Sequence, residues 1–334
     1  MSYFVIFAII PITIFLSHFF IQKKILLNYT GNKHQKFSSK KKVPLIGGFF
    51  ILFFILTVDI SSYLKIFSLL IFLTGLFSDL NFLRSPKKRI VLQIIFAFTF
   101  LFLTELKIEN LRINFLEQIL QYNLLNYLFL TFCIIVAMNG TNFIDGVNSN
   151  VLIYYLLIFS LIIFFNNEYN LILEKSVIKN LILLLIILII LNFNFKLFIG
   201  DSGSYLISFF SSIFLINFYL LNQSISPFLI VLILWYPCFE NLFSIIRKFN
   251  IGLSPIKPDV NHFHHLLLKF LKNNLKIKYS NNLSSLLINL YNLIILSFGF
   301  LNIENTQFQI FLIMVNVIFY CFIYLRLYKL SERS

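Results

Sequence analysis

The chain has 334 residues, of which 59% are hydrophobic, 18% aromatic and only 12% charged. Soluble domains carry about 25% charged residues, so this composition excludes a water-soluble fold. The formal net charge of +14 does not make it a nucleic-acid binder, because the cations are spread over loops between apolar runs instead of forming one patch.

Crossing about 30 Å of hydrocarbon takes roughly 20 apolar residues. Such runs fall at 3–22, 45–60, 62–82, 89–106, 123–141, 151–166, 178–195, 204–222, 226–246, 283–301 and 306–326. The expected fold is an all-α polytopic integral membrane protein of ten to eleven transmembrane helices, taken here as eleven. No repeat, low-complexity linker or soluble segment interrupts it, so residues 1–334 are expected to form a single membrane-embedded domain. The first run leads into Lys23-Lys24 without a small-residue cleavage site and reads as a retained span, not a signal peptide. Cys133, Cys238 and Cys321 stand alone in apolar runs and read as small buried hydrophobes.

Eleven crossings send the loops 23–44, 83–88, 142–150, 196–203 and 247–282 and the C-terminal tail to one face. That face holds all of the 27 Lys and Arg residues except Lys65, Lys107, Arg112, Lys175 and Lys179. Basic loops stay in the cytoplasm, so the N-terminus is expected outside and the C-terminus inside. The scarce aspartates follow the same pattern. Of Asp59, Asp79, Asp145, Asp201 and Asp259, all but Asp59 fall on the inner face, together with His262, His264 and His265. Ionisable groups beside membrane helices are costly and often functional.

In chain order, the third run ends in Ser78-Asp79 and is followed by Arg84-Ser85-Pro86-Lys87-Lys88-Arg89. A carboxylate next to cations suits phosphate chemistry: the cations bind the anion and the carboxylate acts as base or metal ligand. Ordinary positive-inside charges at a helix end explain the same residues. Asn139, Asn142 and Asp145 recur at a spacing of three and share one side of a helix, with Gly146 and Asn148 following. They suit a nucleotide or a hydrated divalent ion, or a capped helix end. Phe198-Ile199-Gly200-Asp201-Ser202-Gly203-Ser204 allows close backbone approach and precedes a helix N-terminus. Asp201 there could hold Mg²⁺ against a pyrophosphate or act as a cap. Asp259-Val260-Asn261-His262-Phe263-His264-His265 lacks common zinc spacing and fits phosphate binding or proton transfer better.

These motifs resemble the polyprenyl-phosphate N-acetylhexosamine-1-phosphate transferases, glycosyltransferase family 4, the superfamily that includes the bacterial phospho-N-acetylmuramoyl-pentapeptide transferase. The resemblance extends over nearly the whole chain. It begins at Lys33-His34-Gln35-Lys36 and Val43-Pro44-Leu45-Ile46-Gly47-Gly48 and continues in family order through the Asn-x-x-Asn-x-x-Asp-Gly segment, the Gly-Asp-Ser-Gly loop and the His-x-His-His run. It implies transfer of an N-acetylamino-sugar 1-phosphate from a UDP-sugar to undecaprenyl phosphate, with release of UMP. Such a reaction starts a lipid-linked surface glycan such as O-antigen, lipopolysaccharide or another cell-wall polymer. It further implies Mg²⁺, with Mn²⁺ as the alternative ion, held by Asp201 and Asn142. Asp79 would deprotonate or position the lipid phosphate, and Lys88, with Lys87 and Lys36, would contact phosphates. Asp145, Asn139 and Asn148 would lie near the nucleotide, and His262, His264 and His265 near the sugar phosphate. The expected setting is the bacterial inner membrane, with a cytoplasmic active face, the lipid bilayer around it and a homodimer as the candidate assembly.

One position departs from the family, which carries adjacent aspartates where this chain has Ser78-Asp79. The segment Ser254–Asp259 resembles the N-acetylglucosamine and O-antigen-initiating branch more than the peptidoglycan branch. A catalytically inactive family member and an ion-coupled membrane transporter are the competing readings. Transporter sites gather near the midplane in broken helices, whereas these polar groups lie at helix ends.

Overall fold

The computed structural model describes residues 3–28, 42–165, 169–254 and 261–333. Among them there is no strand, only an isolated bridge between Leu27 and Pro44. The helices are α1 (Tyr3–Lys23), α2 (Gly47–Thr57), α3 (Ser62–Asp79), α4 (Pro86–Thr104), α5 (Asn114–Leu120), α6 (Asn123–Ile144) and α7 (Asn150–Phe165). They continue with α8 (Lys175–Phe193), α9 (Gly200–Leu221), α10 (Pro227–Ile233), α11 (Trp235–Asn250), α12 (Phe263–Lys269), α13 (Ser280–Leu301) and α14 (Thr306–Arg333). A π-helical turn, Phe270–Asn274, extends α12.

Each expected span carries helix, and the chain is a polytopic membrane protein. By length and composition seven of the described helices can cross a membrane, or eight if α10 and α11 form one bent span. The shortfall from eleven has local causes. Helix α2 has 11 residues, about 16 Å at 1.5 Å per residue, and ends where Ser61 caps α3 by accepting from the Leu64 amide at 3.2 Å. The first turn of α4 is taken up by Lys87, Lys88 and Arg89. The run at 226–246 is not one straight helix, because α10 and α11 meet at a 70° bend. Pro237 has no N–H to give the Ile233 carbonyl four residues earlier. The Tyr154 hydroxyl donates to that carbonyl instead, at 2.6 Å. A break in apolar surroundings is thereby kept satisfied.

Helix α9 is the axis of the bundle. Most of its residues are buried, including Ser202, Ser204, Ser208, Ser211 and Ser212, and it packs on α2, α3 and α6. It begins four residues earlier than its apolar run, so the Gly-Asp-Ser-Gly sequence forms its first turn and is not a loop. Small residues permit the close packing there: a side chain at Gly75 of α3 would collide with the backbone of Ser202. At the opposite end, Arg112 ties two loops together by donating to the Ser224 carbonyl at 2.7 Å and the Glu304 carbonyl at 2.8 Å.

Gly75→Ala therefore forces α3 away from α9 and should cost about 1–3 kcal/mol. A lower apparent Tm of the detergent-purified protein is expected; an unchanged Tm would contradict the α3–α9 contact.

Candidate active site

Helix α9 starts at Gly200, whose φ of +71° is in the left-handed region that favours glycine. A Cβ at this position would lie 2.7 Å from Asp79 Oδ2. Asp79, the last residue of α3, accepts from the Asp201 amide at 2.9 Å and the Ser202 amide at 3.0 Å. One helix thus caps another across the bundle, satisfying N–H groups that have no partner within α9.

The cap aims Asp201 at three neighbours. Its Oδ1 accepts from Asn142 Nδ2 at 2.7 Å. Its Oδ2 accepts from Ser78 Oγ and from Arg89 Nη1, each at 2.6 Å. Arg89 also donates to Ser78 Oγ at 2.6 Å, so the residue at the family's first carboxylate position is built into the network. Asn142 further donates to Ser204 Oγ at 3.2 Å. The Arg89 and Asp201 side chains remain 20% and 26% exposed, which leaves the pair accessible from outside the protein.

Asp145 follows the last residue of α6. Burial, and then the charges of Asp201 and Asp79, push its carboxyl well above the usual carboxylate range. The next residue, Gly146, makes room for the His264 ring, which an added side chain would strike. The His262 ring lies 5.3 Å from that of Phe143 and stacks on His264 at 5.7 Å. His264 and His265 are 4.2 Å apart. Residues 142–146 therefore stand between the carboxylates and the imidazoles. His264 is fully buried, and among the described residues neither of its ring nitrogens has a hydrogen-bond partner. Burial, and then His265 and His262, hold it well below the ordinary imidazole value.

The structure thus joins Asp79, Asp201 and Asn142 by direct bonds, adds Asp145 through its field, and sets His262, His264 and His265 against the same segment. Other expected residues lie differently. Asn139 donates to Gln93 Oε1 of α4 at 3.0 Å. Asn148 is buried and braces the start of α13, its amide on Asn281 Oδ1 at 2.7 Å and its side chain on Asn282 Oδ1 at 2.9 Å. Lys87 and Lys88 are exposed on the first turn of α4, and the cation that meets Asp201 is Arg89. Lys36 and Asp259 lie outside the described residues.

Sequence reading passed over Glu240 and Lys248. Lys248 is 4% exposed, its Nζ 5.9 Å from the centre of the Phe143 ring. Glu240 did carry a signal, since it is an acid within an apolar run.

The donors fit a hard divalent ion. Asp79, Asp145 and Asp201 are carboxyl groups of the hard oxygen type that such an ion takes. Asn142 turns its amide nitrogen to Asp201; as a ligand it would present its oxygen. Among the described residues no three His, Cys, Asp or Glu side chains are grouped so as to hold a metal ion by themselves. Mg²⁺ commonly fills its shell with water and substrate phosphate oxygens.

Residues 61–219 match the model of glycosyl transferase family 4. Over 221 residues the chain is 27% identical to the undecaprenyl-phosphate alpha-N-acetylglucosaminyl 1-phosphate transferase of Salmonella typhi, covering 63% of this chain and 58% of the relative. The protein of the same name from Escherichia coli is 25% identical over 220 residues, with the same coverage of 63% and 58%. The decaprenyl-phosphate N-acetylglucosaminephosphotransferase of Mycolicibacterium smegmatis is 30% identical over 158 residues, 42% of this chain and 39% of the relative. In each case the match spans less than two thirds of the relative's length.

A buried His264 that resists protonation makes stability depend on pH. Below about pH 6.5 the unfolded chain takes up a proton that the folded state refuses, so stability is present above that pH and is lost as pH falls. Thermal unfolding from pH 8 to about pH 5 should show a shallower acid decline for His264→Gln than for the wild type; identical slopes would contradict the burial of a neutral ring.

Proposed function

From the match of residues 61–219 to the model of glycosyl transferase family 4, we propose that the protein transfers an N-acetylamino-sugar 1-phosphate from a UDP-sugar to polyprenyl phosphate. The observation that carries this reading is the meeting of Asp79, Asp201, Asn142 and Arg89, from four helices, at the N-terminus of α9. A guanidinium beside carboxylates attracts phosphate, and the carboxylates hold the metal that accompanies a diphosphate. N-acetylglucosamine is the proposed sugar, after the names of the relatives, and undecaprenyl phosphate the acceptor.

In the proposed reaction an oxygen of the lipid phosphate attacks the β-phosphorus of the UDP-sugar. The bond from that phosphorus to the bridging oxygen breaks, and UMP leaves with the electron pair. Phosphoryl transfer is mostly positioning and charge neutralisation. Asp201 and Asn142 would hold Mg²⁺ or Mn²⁺, which supplies Lewis-acid stabilisation of charge on the phosphoryl oxygens. Asp79 fixes Asp201 through the start of α9, and each of its oxygens retains a lone pair that can accept the proton of a protonated lipid phosphate. Arg89 holds Asp201 in place and offers positive charge to the diphosphate, supported by Lys87 and Lys88. His262, His264 and His265 take the sugar-phosphate side, where the two unpartnered nitrogens of His264 would find polar groups of the substrate. Asp145 lies toward the nucleotide.

The same reading takes eleven crossings, with α10 and α11 as one bent crossing, the N-terminus outside and the C-terminus inside. It sets the site on the cytoplasmic face of a bacterial inner membrane, supported by the Lys and Arg bias of the loops. Ser78 does not argue for an inactive protein, because it donates to Asp201 and accepts from Arg89 as an integral part of the network.

Purified protein with Mg²⁺ is expected to release UMP from UDP-N-acetylglucosamine only when undecaprenyl phosphate is present. Asp201→Asn should lower kcat by about 100-fold or more. Absence of release from a panel of UDP-N-acetylhexosamines would overturn the proposal, and activity appearing only in Ser78→Asp would identify an inactive family member.

A further inference from the structure

A buried carboxylate stands behind the imidazoles and outside the machinery described so far. Glu240 of α11 is 1% exposed. Its Oε1 accepts from the Phe263 amide at 3.3 Å and meets His262 Nδ1 at 3.0 Å. Its Oε2 accepts from the Tyr320 hydroxyl of α14. One turn along α14, Tyr324 donates to the Asn261 carbonyl at 3.0 Å. The backbone on both sides of His262 and its ring are thus held by α11 and α14.

The pattern fixes the direction of the His262 bond. The Phe263 amide can only donate, and the Tyr320 hydroxyl donates to the other oxygen, so the carboxylate acts as an acceptor on both sides. His262 therefore donates from Nδ1, which leaves Nε2, on the far side of the ring, as the nitrogen available for chemistry. The bond made by one imidazole nitrogen sets the role of the other.

Stability alone is a poor reason for this arrangement. Burying an ionisable group is costly, and a well-packed apolar cluster is often as stable as a buried pair or more so. The surroundings provide such packing, since Phe239 and Phe243 meet Tyr320 edge-on and Phe263 lies tilted against it. The buried carboxylate instead holds one ring nitrogen of His262.

We propose that Glu240 is a positioning residue for the transfer reaction: it orients His262 with Nδ1 protonated so that Nε2 faces the sugar-phosphate side, and Tyr320 locks the carboxylate in that pose. This inference rests on the transferase reading and deepens it. Glu240 itself touches no substrate.

The test combines kinetics with a measurement that needs no turnover. In ¹⁵N-histidine-labelled full-length protein at about pH 8.5, two units above the free imidazole pKa, His262, assigned by its loss in His262→Gln, is expected to carry its proton on Nδ1. In Glu240→Ala the proton should redistribute toward Nε2. Glu240→Ala should lower kcat about 10- to 100-fold with little change in KM for the UDP-sugar. Glu240→Gln keeps an acceptor oxygen for His262 and Phe263 and should restore most of kcat. If Glu240→Ala fails to fold, Tyr320→Phe, which removes only the lock, should show a smaller fall in kcat with the same direction of tautomer change. A wild-type His262 protonated on Nε2, or a tautomer unmoved in the variants, would overturn the proposal. So would a fall in kcat that only tracks loss of folded protein. Absence of turnover in the wild type would count against the transferase reading alone, because the tautomer measurement is independent of it.

Discussion

The carboxylate of Asp79 against the first amides of α9 is the constraint on which the site depends. An α-helix begins with N–H groups that lack partners within it, and in a membrane protein each such group must be satisfied by the protein. Here the partner comes from the end of α3, more than a hundred residues earlier in the chain. That one contact fixes the height of α9 relative to α3. It also explains why Gly75 and Gly200 lack side chains and decides where Asp201 emerges. Without it, Asp201 would be a residue near a helix end; with it, Asp201 is held where Ser78, Arg89 and Asn142 all reach it.

The site then divides into two halves with different physics. On the carboxylate side the balance is electrostatic. Arg89 pairs with Asp201, while burial and then the charges of Asp201 and Asp79 hold the Asp145 carboxyl well above the usual carboxylate range. On the imidazole side the balance is one of burial and hydrogen bonding. His264 is held neutral on Gly146, while Glu240 grips His262 from behind. The short segment from Asn142 to Gly146 serves both halves, and its polar spacing of three reflects the last turns of α6, where one side faces α9.

Much of this was legible in the sequence, and for identifiable reasons. Each apolar run carries helix, seven or eight of the described helices being long and apolar enough to cross a membrane, and the aspartates and histidines stood out in the sequence as rare ionisable groups at the ends of such runs. What was not legible depends on contacts between distant segments. That Arg89, of the run of three cations, is the one that meets Asp201 depends on which side of α4 faces α9, and the run itself does not say. Asn148 looked like a nucleotide ligand because its partners, Asn281 and Asn282, lie on a helix far along the chain. The bend at Leu234 was signalled by Pro237, but its tolerance rests on the Tyr154 hydroxyl, which no local pattern reveals. Ser78 read in isolation as a departure from the family's adjacent aspartates, and it is a hydrogen-bonding member of the network once Arg89 is placed beside it.

The central claim is that Asp79, by capping α9, creates a divalent-cation site at Asp201. Electron paramagnetic resonance of Mn²⁺ titrated into the purified protein with UDP present measures this without turnover. A bound-ion signal is expected in the wild type, lost in Asp201→Ala and weakened in Asp79→Asn, which keeps the shape but loses the charge facing the helix. Equal Mn²⁺ binding in all three proteins would contradict the account.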